Sequence, residues 1–151
     1  MGDHDRAKAI TLELMRISES VPFYREIGPY LLGRIALTQG EIDNAEMLLK
    51  QAFAMIDESF WPYQMAMHLA GFVVLGSKQG KMHEAVRCAG VIDVLIQRVF
   101  LAVSPHERDE FITALAATRA ALGEEDFAVA WEAGKGMTLE QIIQEILADP
   151  G

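Results

Sequence analysis

The chain reads as all-α, about eight helices arranged as antiparallel pairs. Three observations predict this. Apolar residues recur at helical spacing through most of its 151 residues. Glycines stand where two long helices must stop, at Gly40 and Gly80. Three stretches also share a register, as a chain built from repeated helix pairs requires.

The stretch Pro29–Asp57 shows the logic best. Before Gly40, apolar or small residues fall at Leu32, Gly33, Ile35 and Ala36; after it they fall at Ile42, Ala45, Leu49, Ala52 and Ile56. Each set lines one helix face. A glycine between them permits the left-handed backbone that a sharp reversal needs. Gly33, Ala36, Ala45 and Ala52 are small enough to let the two helices approach.

The remaining elements follow in order. Gly2–Ser20 carries Ala7, Ile10, Leu14 and Ile17 on one face, with Asp3 and Asp5 favouring the positive end of the helix dipole. Val21-Pro22-Phe23-Tyr24 breaks that helix, and Pro29 falls in the first turn of the next, where its missing N–H costs nothing. Ser59 is placed to cap a helix running from about Trp61 to Gln79. Lys81–Phe100 is the fifth helix, with a wide apolar face through Ala85, Ala89, Ile92 and Leu95. Ser104-Pro105-His106-Glu107 reads as a capping box opening a sixth helix that Gly123 ends. A short helix over Glu124–Ala133 holds Phe127 and Trp131, and Thr138-Leu-Glu-Gln141 caps the last one.

Aligned on their glycines, GDHDRAKAITLELMRIS, GEIDNAEMLLKQAFAMI and GKMHEAVRCAGVIDVLI share Gly2, Gly40 and Gly80, then Ala7, Ala45 and Ala85. A third apolar position holds Leu14, Ala52 and Ile92. The expected organisation is therefore a single helical-repeat domain over 1–151, with units at about 2–20, 29–57 and 61–100 and a C-terminal helical cap at 104–148.

Composition narrows the function. With 13 basic against 22 acidic residues and a net charge of −9, the chain lacks the lysine and arginine surface that grips phosphate backbones or anionic lipid. No direct nucleic-acid binding and no membrane binding are expected. The longest apolar run, Leu69–Gly76, falls well short of the roughly 20 residues a membrane span requires. A charged start, MGDHDRAKA, does not resemble a signal peptide, and the single Cys88 cannot form an internal disulfide. The expected compartment is cytoplasmic.

Catalytic motifs are not evident. Gly134-Lys135-Gly136-Met137-Thr138 has the wrong order for a phosphate loop and follows no strand. His4, His68, His83 and His106 form no metal-binding spacing, and Asp43, Glu84, Glu107 and Glu124–Asp126 are accounted for by helix starts. Cys88 reads as a small core residue, and His68 as half-buried or facing a groove. The chain is thus expected to be no enzyme and to need no cofactor and no metal.

Gly33, Ala36, Gly40, Ala45, Leu49 and Ala52, repeated in part by Leu69, Gly80, Ala85, Ala89 and Ile92, resemble the tetratricopeptide repeat. The resemblance implies a short right-handed solenoid whose first helices line a concave groove. It puts Tyr30, Arg34, Thr38, Met67 and Lys78 on the groove side, with Tyr30 and Arg34 stacking on and bonding a ligand. The partner implied is a protein or peptide, with a small-molecule effector or a homodimer as alternatives. The later passage Ala121-Leu122-Gly123, Phe127, Trp131, Gly134 and Thr138-Leu139-Glu140 resembles the C-terminal region of large bacterial LuxR-type regulators and related signalling ATPases and cyclases. That likeness implies a sensor or scaffold segment of a signalling and transcription-regulatory protein.

Overall fold

A computed structural model describes residues 3–18, 25–56, 63–96 and 105–148. These hold eight helices: α1 (Asp3–Ser18), α2 (Ile27–Gln39), α3 (Ile42–Ala54), α4 (Tyr63–Gln79), α5 (Met82–Ile96), α6 (Pro105–Leu122), α7 (Glu124–Lys135) and α8 (Leu139–Ala148). No strand occurs among the described residues, so the all-α expectation holds. The helices group into two compact units, one with α1–α3 and the other with α4–α8. The expected caps Ser59 and Ser104, the break at Val21–Tyr24 and the leading Gly2 lie outside the described residues.

In the first unit, α2 packs against both α1 and α3. Pro29 is the third residue of α2, within the turn whose amides have no helical acceptor. The helix closes on Gly40, at φ +76°: the Glu41 amide donates to the Ala36 carbonyl at 2.9 Å and the Gly40 amide to Leu37 at 3.2 Å. These two bonds satisfy carbonyls that the helix end would otherwise orphan. Only two residues then separate α2 from α3. Gly33 sits so close to α3 that a Cβ there would lie 2.9 Å from Leu49 Cγ. Leu37, Ala45, Leu49 and Ala52 are buried at this contact's level.

The second unit is built around α5, which packs against α4, α6, α7 and α8. Its entry repeats that of α3: Gly80 has φ +78°, and the Lys81 amide donates to the Gly76 carbonyl at 2.9 Å. Gly76 in turn admits Ala85, whose Cβ would be 3.1 Å from one added at Gly76. On the other side, Gly90 of α5 meets Gly134 of α7 almost backbone to backbone. A Cβ on Gly134 would fall 2.8 Å from the Cα and carbonyl carbon of Arg87, and one on Gly90 would fall 3.0 Å from the Lys135 nitrogen. Val86, Phe127 and Ala130 form the buried cluster beside this crossing, with Leu115, Leu122 and Trp131 packed around it. The Phe127 and Trp131 rings stack at 5.7 Å, and the Arg119 guanidinium lies 4.2 Å from the centre of the Phe127 ring. α8 opens with the expected reciprocal cap: the Gln141 amide donates to Thr138 Oγ1 at 3.2 Å, and the Thr138 amide to Gln141 Oε1 at 2.8 Å.

Gly134→Ala should therefore destabilise the chain through overpacking against immovable backbone, by about 1–3 kcal/mol. Gly40→Ala meets no atom within 4 Å and should cost only its left-handed backbone, about 1 kcal/mol. Urea unfolding of both variants checks the order.

Candidate functional site

The residues placed on the groove side divide by unit. On α2, Tyr30, Arg34 and Thr38 recur every fourth residue and so lie along one line of the helix, which Glu26, at the N-cap position, extends. Three of the four are buried, Tyr30 at 1%, Glu26 at 3% and Arg34 at 9% exposure. Arg34 Nη1 donates to the Tyr30 hydroxyl at 3.2 Å, and its guanidinium carbon sits 5.9 Å from the ring centre. Tyrosine and arginine therefore bond each other along their own helix. Burial raises the Glu26 carboxyl above its ordinary value of 4.5. Thr38 is exposed, and its hydroxyl donates to the Ile35 carbonyl at 2.7 Å.

On α4, Met67 is half-buried and Lys78 exposed, eleven positions and three turns further on. His68, beside Met67, is fully buried rather than half-buried or groove-facing. Its Nδ1 lies 2.8 Å from the Gln64 carbonyl, so in the neutral ring Nδ1 carries the proton. Burial pulls its pKa from 6.5 to about 4, against a smaller opposing contribution from that hydrogen bond. Sequence pattern alone underrated this residue, because a histidine in a mostly apolar run is compatible with either a rim or a core position. The signal for burial was its neighbourhood: Met65, Ala66, Leu69 and Phe72 are all buried too.

The line of first-helix residues is accordingly no uniformly open surface. Tyr30, Arg34, Leu37 and Val74 are inside, while Thr38 and Lys78 are outside. Cys88 is buried in α5, and burial, with Glu145 adding to it, pushes its thiol up to about 12. Asp43, Glu84 and Glu107 all occur in first helical turns, as do Glu124, Glu125 and Asp126. Among the described residues no three His, Cys, Asp or Glu side chains gather as a metal site, and no helix is long and apolar enough to cross a membrane. The ion pair tying the cap to α5 is Arg87–Glu145, whose Nε donates to Glu145 Oε1 at 3.0 Å. Comparison with family models, curated proteins and solved structures finds no match.

His68 makes stability pH-dependent. Its folded pKa lies below the unfolded one, so its contribution is intact above about pH 6.5 and is lost as pH falls towards 4. Glu26, raised in the folded state, acts in the opposite sense at acid pH. The unfolding free energy of the chain should therefore drop relative to that of His68→Phe by about 3 kcal/mol between pH 7 and pH 4; parallel curves would reject the assignment. For Cys88, a thiol reagent at pH 8 should label the native chain only after denaturant is added.

Proposed function

We propose that this chain is a non-catalytic, tetratricopeptide-like interaction domain whose helix pairs run antiparallel and stack as a short right-handed solenoid. The observation that carries this reading is a recurrence of backbone geometry. Gly40 and Gly80 close α2 and α4 with the same left-handed turn and the same bond from the following amide to the carbonyl five residues earlier. In both pairs a glycine of the first helix, Gly33 or Gly76, admits a side chain of the second. Units that repeat one geometry stack with a constant offset and present their first helices along one side.

In this reading Thr38, Met67 and Lys78 contact the partner, and the Tyr30–Arg34 pair stiffens α2. A half-buried methionine suits an adaptable contact, and a lysine in an acidic chain selects carboxylates on the partner. The partner is a protein or peptide, and nucleic acid is disfavoured by the charge of −9. The role is that of the sensor or scaffold region of a cytoplasmic bacterial signalling and transcription-regulatory protein. Partner occupancy would bias how the pairs stack and so how an attached output domain is held.

A photocrosslinking amino acid placed in turn at Thr38, Lys78 and Val129 separates this face from the rest. Val129, on α7, is 66% exposed and serves as the control. One discrete protein adduct at positions 38 and 78, absent at 129, is expected. Equal adducts at all three, or none, would reject the face.

A further inference from the structure

Helix α8 is held to its unit differently from its neighbours. α6 packs against α4, α5 and α7, and α7 against α5 and α6, whereas α8 rests chiefly on α5. One face of α8 is turned inward: Ile142 and Ile146 are buried, while Glu140, Gln144 and Leu147 are exposed. Beside the two isoleucines, Glu145 Oε1 accepts from both Nε and Nη2 of Arg87. The two side chains of that pair keep 27% and 31% of their surface exposed, so water and salt compete for it.

The helix has only ten residues. Isolated helices shorter than about 12–15 residues are marginal in water, so α8 persists because it is docked, and undocking melts it as a unit. Its cap does not tie it down, because the reciprocal bonds of Thr138 and Gln141 use no group outside that turn. Between α7 and α8 the chain turns at Gly136, which is exposed and has φ −83°. A Cβ there would meet the Ala133 and Glu132 carbonyl oxygens at 3.5 and 3.7 Å, ordinary contacts. The docked turn therefore admits a side chain, and glycine at this place adds freedom to the undocked chain alone.

The ground beside the ion pair is chemically distinctive. Cys88 follows Arg87 in α5, is 3% exposed, and is the one cysteine of the chain. Glu145 lies near enough to add to the burial that holds its thiol protonated. The carboxylate that anchors α8 thus also faces the surroundings of the thiol.

We infer that α8 is a hinged strap: it comes off α5 about Gly136 while α4–α7 stay folded, and its opening admits thiol-directed electrophiles to Cys88. Thr38, Met67 and Lys78 take no part, so partner contact there and opening of the strap stand or fall independently.

Iodoacetamide labelling of Cys88 in the full chain, followed by mass spectrometry alongside circular dichroism in urea, tests it. Labelling should set in at urea concentrations well below the loss of helical signal, since a local opening exposes little surface. Labelling that tracks the loss of helix would overturn the proposal. Glu145→Arg, which sets like charges together, should speed labelling roughly tenfold below the main transition and leave that transition in place. Combining it with Arg87→Glu, which reverses the pair rather than breaking it, should return labelling to near the unaltered rate. A main transition that moves with the labelling rate, or an exchange as fast as the single variant, would reject the strap. Gly136→Ala should slow labelling about two- to fivefold, because it restricts the open chain and fits the docked turn; unchanged or faster labelling would reject the hinge.

Discussion

How closely helix backbones are allowed to approach is the constraint on which the rest of this structure depends. At four places among the described residues a glycine removes the side chain that would hold two helices apart: Gly28 beneath Met15, Gly33 beneath Leu49, Gly76 beneath Ala85, and Gly90 against Gly134. Dispersion contacts weaken steeply with separation, so a pair of helices brought together at glycine gains along its whole contact, not only at the crossing. α5 shows the result. With glycine or alanine at the points of closest approach, it is buried on nearly every side, and even Cys88 and Gly90 are enclosed.

This packing also accounts for the apolar, glycine and threonine positions of the C-terminal passage. Phe127 and Trp131 stack over α5, Gly134 lets α7 reach the Arg87 backbone, and Thr138 closes the start of α8. Each is needed to seat α7 and α8 on α5, whatever the domain binds. The polar interior has a comparable logic. Arg34 Nη1 donates to the Tyr30 hydroxyl along α2, and burial keeps His68 neutral while its Nδ1 bonds the Gln64 carbonyl.

Much of the fold was legible in the residues because it is local. The stop at Gly40 needs only a left-handed glycine and two amides within six residues, and the same arrangement at Gly80 follows from the same short sequence. The Thr138–Gln141 cap is complete within four residues. The depth of the polar residues along α2 was less legible. Helical spacing puts Tyr30, Arg34 and Thr38 on one line but does not say how deep each lies, and the line runs from interior to surface within two turns.

By itself, then, the sequence determined what can be set by short-range chemistry: the helices of the described residues, the Thr138–Gln141 cap, the glycine turns at Gly40 and Gly80 and a net charge of −9. Tertiary structure alone decided which faces are covered. Gly90 and Gly134 lie far apart in the chain, and nothing in either neighbourhood announces that they meet. The same holds for the burial of Arg34 and His68 and the exposure of Ile10 and Leu14. Burial is a property of what another segment brings, and helical periodicity specifies a direction without specifying what stands there.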